Sequence, residues 1–365
     1  MAEPLAVVVL PPREGFGPGR SGALGLLARR YAATPGFRTL VLGGAQDGAV
    51  FSDVPFQAIA PASWWPGNSN LRLVVGMIAP LLRIRPDLIE VHNRPEIALA
   101  LARLFPRTPV GLLLNNDPQD MRRARSPRDR ARLLRRLRPV MTSSAYLRRR
   151  FMEGLPPSAG TVEILHNCID LTEIPPPGPR ENLILFAGRI VRDKAPDAFI
   201  RACALALPDL PGWRAEIVGA DGMNANSRKT DFTRQTEALA AASGILMSGY
   251  RDFPLVLSAM SRAAIVVVPS RWNEPFGLTA LEAIACGAAL IVSPRGGLPE
   301  VAGEAAVYAD PDDPAAMAAA IRALANNPAR RAALSVAGRE RARAFDVAAM
   351  AVRLTALRSR AMNKC

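Results

Sequence analysis

The sequence predicts an α/β protein made of two doubly wound parallel-sheet domains. Three observations predict it. Short apolar runs alternate with amphipathic stretches along the whole chain, which is the rhythm of β-α-β units. A proline-rich break divides that rhythm into two similar halves. At 365 residues the chain is also long for a single core, so two domains are the natural expectation.

The elements follow in order. Strands are expected in the first half at residues 5–10, 39–42, 88–91, 110–114, 140–143 and 162–165, with helical patterns such as 22–31 and 96–105 between them. Residues 171–182 hold four Pro and one Gly and can join neither a helix nor a central strand. The second half repeats the pattern with strands at 183–187, 214–218, 245–248, 264–268 and 290–292, then a helical segment over 315–360 with a polar break near 326–328. The expected organisation is a first domain over 1–172, a linker over 173–182, a second domain over 183–345 and a terminal helix over 346–365.

Composition narrows the classes. No run of about 18 uncharged apolar residues occurs, so no membrane-spanning helix is expected. The apolar run from Leu5 to Leu10 lacks a basic stretch ahead of it and reads as a strand and not a secretion signal, which leads to the expectation of a cytoplasmic protein. Cys168, Cys203, Cys286 and Cys365 form no Cys-x-x-Cys pair and only two histidines are present. Neither a zinc site nor a disulfide framework is expected.

The formal net charge is +14, almost all of it arginine, with lysine only at 194, 229 and 364. From Arg122 to Arg150 there are twelve arginines against the single acid Asp129. A solvated helix face and a surface for anionic membranes both account for that block. Nucleic-acid binding is disfavoured, because aromatic residues are not interleaved with the charges.

The chemistry concentrates in the stretch from Ser270 to Glu282. Its carboxylates Glu274 and Glu282 stand eight residues apart, one in a loop and one in a helix. Phe276, Gly277 and Leu278 between them place backbone N–H groups at a helix start, an end that attracts anions. Acids for hydroxyls beside amides for phosphate suit a nucleotide sugar. A simple turn with a dipole-paired Glu would use the same residues. Arg189 and Lys194, after the first strand of the second half, supply a planar fork and a point charge for a diphosphate.

These residues resemble the retaining glycosyltransferases of family 4, which have the GT-B fold: two Rossmann-like domains facing a cleft. The resemblance rests on Glu274-Pro275-Phe276-Gly277 through Glu282, then Gly287, Ser293 to Gly297 and Pro299-Glu300. Upstream it rests on Phe186-Ala187-Gly188-Arg189-Ile190 with Lys194, and on His166-Asn167-Cys168-Ile169-Asp170. It is strong over residues 160–310 and looser over 1–160.

The resemblance implies a first domain that binds acceptor and a second that binds a UDP-, GDP- or ADP-linked sugar, with no metal and no cofactor. It assigns Glu282 to the ribose and Glu274 to the sugar hydroxyls and the charge near the anomeric carbon. Gly188, Arg189, Lys194 and the amides of Phe276, Gly277 and Leu278 go to the phosphates and sugar, and Tyr250 and Arg251 lie near the base. Gly17 and Gly19 of the first βα loop would approach the donor, and the last helix would cross back onto the first domain. Many relatives carry a histidine where this chain has Asn115, which hydrogen-bonds but does not ionise. His92 ends a strand on the same edge. The implied reaction is front-face transfer of a sugar to a glycan or lipid-linked acceptor; the arginine block and the absence of a secretion signal suggest that it serves bacterial envelope polysaccharide or lipopolysaccharide synthesis. A GT-B sugar-nucleotide epimerase and a nucleotide-sugar-binding protein with weakened catalysis are the alternatives. A nicotinamide dehydrogenase is disfavoured, because Gly15-x-Gly17-x-Gly19 does not match G-x-G-x-x-G.

Overall fold

The computed structural model describes residues 3–19, 21–46, 48–222 and 229–363. Cys365 therefore lies outside the described residues. The chain packs as two units: residues 1–168 with 347–365, and residues 169–346.

The first unit runs β1 (Leu5–Val9), α1 (Ala23–Ala32), β2 (Arg38–Gly43), β3 (Phe56–Ala58), α2 (Ser69–Ile84), β4 (Leu88–His92), α3 (Pro95–Leu104), β5 (Val110–Leu114), α4 (Pro127–Arg136), β6 (Val140–Thr142), α5 (Ala145–Met152) and β7 (Glu163–Ile164). Its seven strands lie in the order β3-β2-β1-β4-β5-β6-β7, all parallel. The order reverses between β1 and β4, and at such a switch point the loops at the carboxyl ends splay apart and leave a crevice.

The second unit repeats the plan. It runs β8 (Glu181–Ala187), α6 (Pro196–Ala206), β9 (Arg214–Val218), α7 (Asp231–Ala242), β10 (Leu246–Met247), α8 (Phe253–Arg262), β11 (Ala263–Val268), α9 (Leu278–Ala285), β12 (Ala289–Val292), α10 (Leu298–Ala302), β13 (Ala306–Tyr308), α11 (Pro314–Ala325) and α12 (Pro328–Arg343). The parallel order is β10-β9-β8-β11-β12-β13, with its switch point between β8 and β11. Helices cover both faces, so strands such as Ala263–Val268 are buried at every position.

The final helix, α13 (Val347–Met362), packs with the first unit. Met350, Leu354 and Leu357 join Leu27, Tyr31, Leu113 and Met141 in one core. Arg358 is fully buried there and pairs with the buried Glu90 of β4. A buried ion pair tolerates the loss of neither partner, so this contact ties the end of the chain to the centre of the first sheet.

Three details differ from the sequence expectation. The edge strands β3 and β13, each of three residues, were not anticipated. The helical C-terminal segment breaks a second time, at 344–346, where Ile169 and Phe345 share a backbone hydrogen bond of 3.0 Å. The proline-rich segment lies inside the second unit, with Leu171 and Ile174 packed on its core.

A candidate nucleotide-sugar site

In the second unit Gly188, Arg189, Lys194 and Glu274 lie on the two loops at the switch point, while Tyr250 and Arg251 follow β10 at the edge of the sheet. The loop after β8 carries Gly188, Arg189 and Lys194; the loop after β11 carries Ser270 and Glu274. Lys194 Nζ lies 2.5 Å from Glu274 Oε1, and the Ser270 hydroxyl donates to the same oxygen at 2.5 Å. Glu274 is only 5% exposed, and the two donors facing its carboxylate replace the water it gives up. Lys194 also sits 5.9 Å from the centre of the Trp272 ring.

The loops behind this pair are held from several sides. The Arg271 and Trp272 amides donate to the Asp193 carbonyl at 2.9 and 3.2 Å, which stitches the two loops together. Arg271 grips Asp197 at 2.7 and 3.0 Å and Asp312 at 2.8 Å. Hydrogen bonding to Asp197 drives the Arg271 guanidinium upward in pKa. Burial alone would raise Asp197, but the Arg271 partner outweighs it and the carboxyl ends below its ordinary value. Gly296, at φ +66°, lies so close to the Glu274 backbone that a Cβ would stand 2.3 Å from its carbonyl oxygen. The Gly297 amide donates to that carbonyl at 2.7 Å.

Helix α9 begins beside Glu274. Its N-cap, Gly277, has φ +108° and ψ +58°, a conformation open to glycine at no steric cost. The Gly277 and Leu278 amides have no protein acceptor among the described residues. Phe276 is buried and meets Phe345 edge to face at 5.6 Å. Glu282 lies on α9, partly buried. Arg189 is exposed and makes no ion pair among the described residues.

Sequence reasoning missed two contributors. Ser270 begins the motif but carried no assigned role. Gly219, after β9, would place a Cβ 1.8 Å from the Gly188 carbonyl oxygen, and its amide donates to the Gly249 carbonyl at 2.9 Å. Gly188, Gly219 and Gly249 thus leave bare backbone along the carboxyl ends of β8, β9 and β10, just before Tyr250 and Arg251. Nothing in the order of residues marks Gly219 as part of that row.

The remaining expected residues lie in the first unit. Gly17 is buried because the chain packs there: a Cβ would stand 2.1 Å from the Ala49 carbonyl oxygen. Gly19 is exposed at φ +67°. The Glu14 carboxylate of the same loop accepts from the Gly25 amide at 2.9 Å and so occupies the start of α1. Burial raises its pKa, with the α1 amides opposing.

His92 ends β4 and is 2% exposed; its Nδ1 has no partner among the described residues. Burial, then the Arg358 charge, pushes the imidazole pKa down to about 3. Asn115 follows β5, is 8% exposed, and neither its Oδ1 nor its Nδ2 is bonded, although its backbone amide donates to Asn93 Oδ1 at 3.1 Å. Ser143, after β6, has an unpartnered hydroxyl too. Strand alternation puts Asn115 and Ser143 on the side of Leu113 and Met141, the side of α13 that holds Arg358. Three adjacent strand ends therefore present buried polar atoms without a partner among the described residues.

Two units of parallel sheet, each wound on both faces, with a charged loop pair and a helix start at the second switch point, define the GT-B class. The fold likeness is extensive. A sucrose-phosphate synthase from Thermosynechococcus elongatus matches with a TM-score of 0.79 at 19% identity, over 99% of this chain and 100% of that one. Anabaena Alr3699/HepE in complex with UDP and glucose matches at 0.74 and 17%, over 97% and 99%. Residues 171–341 match the family described as glycosyl transferases group 1, and the second unit is a member of that family. A D-inositol 3-phosphate glycosyltransferase of Thermobispora bispora is 32% identical over 188 residues, 50% of this chain and 44% of that protein. Glycogen synthase of Mycobacterium tuberculosis is 31% identical over 225 residues, 57% and 50%. The chain spans half or less of the length of these curated relatives.

Proposed function

We propose that the protein is a glycosyltransferase that moves a sugar from a nucleoside-diphosphate donor to a glycan or lipid-linked acceptor, with retention and without a metal. The observation that supports this best is the Lys194–Glu274–Ser270 cluster beside the Gly277 and Leu278 amides at the start of α9. The solved likeness of Anabaena Alr3699/HepE with UDP and glucose supports the donor class.

Each part of the donor has a partner in this reading. Arg189 and Lys194 neutralise the diphosphate together with the α9 start. Gly188 and Gly219 let it approach bare backbone. Glu282 accepts from the ribose hydroxyls, Tyr250 and Arg251 border the base, and Glu274 accepts from the sugar hydroxyls. The bond from the anomeric carbon to the diphosphate oxygen breaks, the acceptor oxygen bonds the same face of that carbon, and its proton passes to the departing phosphate. Charge on the leaving group is the main demand, and fixed cations meet it. Asn115, His92 and Ser143 would give hydrogen bonds to hydroxyls of the reactants.

The arginine surface supports an envelope role in this reading. Of the twelve arginines from Arg122 to Arg150, ten are exposed. Arg130 is the marked exception: it is buried and donates to the carbonyls of Phe151, Ala124 and Arg125 at 2.6, 3.2 and 2.6 Å, and to that of Glu153 at 2.5 Å. Arg150 is tied to Asp117 at 2.6 Å and Glu153 at 2.7 Å. The ten would hold the protein on the cytoplasmic face of an anionic membrane. Among the described residues no helix is long and apolar enough to cross one. Salt-sensitive sedimentation with anionic vesicles is the expected result, and none would end this part of the reading.

The deciding experiment is calorimetric titration of UDP, GDP, ADP and NAD into wild type and Glu282→Ala. One nucleoside diphosphate should bind and lose affinity in the variant. Binding of none of them, or of NAD alone, would overturn the proposal.

A further inference from the structure

Both donors that reach the Glu274 carboxylate take the same oxygen. Lys194 Nζ and the Ser270 hydroxyl each stand 2.5 Å from Oε1, and Oε2 accepts no hydrogen bond among the described residues. The carboxylate is held on one side and open on the other.

The two donors differ in kind. Lys194 sits on a long flexible stem with its side chain 22% exposed, and an arriving diphosphate competes for its charge. Ser270 is 1% exposed, on the loop directly after β11. Its hydroxyl has one proton to give, and that proton goes to Glu274. The serine is fixed in turn. Its carbonyl accepts from the Ser293 hydroxyl at 2.7 Å, and Ser293 is fully buried just after β12. At the other end of the loop the Glu274 carbonyl accepts from the Gly297 amide at 2.7 Å. A carboxylate on rotatable bonds keeps one aim only when a locked neighbour holds it. Of the two donors, only Ser270 is locked.

Resting on the glycosyltransferase reading, we propose that Ser270 is a positioning residue of the donor site. As the diphosphate draws Lys194 toward itself, the Ser270 hydroxyl keeps Oε1, and Oε2 stays turned to a hydroxyl of the transferable sugar. Ser270 acts through Glu274 and itself touches neither phosphate nor sugar.

The test is calorimetry on the full chain with UDP, GDP and ADP, each against UDP-glucose, GDP-mannose or ADP-glucose. In wild type at least one nucleotide sugar should bind ~10-fold or more tightly than its own diphosphate, the scale of one charge-assisted hydrogen bond. That ratio measures the grip on the sugar. Ser270→Ala should bind the diphosphate as wild type does, which also shows that it folds, while the ratio collapses toward unity. Ser270→Thr keeps a hydroxyl and should recover part of the ratio. Ser293→Ala removes a buried hydroxyl bond from the same loop without touching Glu274, and should leave the ratio at its wild-type value. A ratio near unity in wild type, a ratio untouched by Ser270→Ala, or equal loss in Ser293→Ala would overturn the assignment. So would a loss of diphosphate affinity in Ser270→Ala as large as the loss for the nucleotide sugar. Any of these with normal diphosphate binding in wild type removes the role of Ser270 alone; binding of no diphosphate to wild type ends the glycosyltransferase reading itself.

Discussion

Lys194 and Glu274 stand eighty positions apart in sequence, yet Nζ and Oε1 meet at 2.5 Å with Glu274 almost fully buried. Removing the lysine would leave a buried carboxylate with one neutral donor. Lys194→Met should therefore cost on the order of 3 kcal/mol of stability, read by chemical denaturation. The double variant Lys194→Met/Glu274→Gln should recover much of that loss and remain inactive. Additive losses would show that the two residues act independently.

Asn115 separates stability from function in the opposite way. Its side-chain polar atoms have no partner among the described residues, so Asn115→Ala removes an uncompensated burial as well as some packing. The expected change in stability is within about 1 kcal/mol, while sugar transfer falls at least ~10-fold, as for loss of a hydrogen bond to a reactant. A large drop in melting temperature would mean that Asn115 is structural.

Gly219→Ala tests the bare-backbone row. The new methyl would fall 1.8 Å from a carbonyl oxygen at φ +152°, so β8 and β9 must separate. The variant should lose at least ~2 kcal/mol together with nucleoside-diphosphate binding. Unchanged denaturation would show that the strand ends yield easily.

His92 sets an acid limit. Its imidazole ionises near pH 6.5 when unfolded and near 3 in the fold. Between those values the unfolded state binds more protons, so this contribution is complete above about pH 6.5 and drains away as pH falls toward 3. The melting temperature of wild type should drop more steeply from pH 7 to 4.5 than that of His92→Asn. Parallel slopes would place the acid sensitivity elsewhere.

The central strands were legible because each is a short, largely buried apolar run, and the donor motif was legible because Glu274 to Glu282 lies within one strand–loop–helix. The edge strands β3 and β13 were not, since three residues such as Phe56–Ala58 are too few to show a period. Long-range partners were equally hidden. Gly219 matters only because Gly188 lies beside it, and Arg358 only because α13 returns to Glu90. Arg130 sat in a run that reads as solvated charge, although it is among the most deeply buried side chains. Composition cannot tell a clamp from a surface.

Because α13 completes the first unit, the second unit is in effect an insertion within it. During synthesis the ribosome must deliver residues 169–346 before the helix that seals the first core exists. At roughly 5–20 residues per second that is an interval of roughly 10–35 s, in which Glu90 has no guanidinium and Leu113 and Met141 lack their cover. The second unit, contiguous in sequence, is free to fold first. A nascent chain arrested before Val347 would then hold a finished second unit and an open first one, which makes the early half of this chain, and not the late half, the one that calls for chaperones.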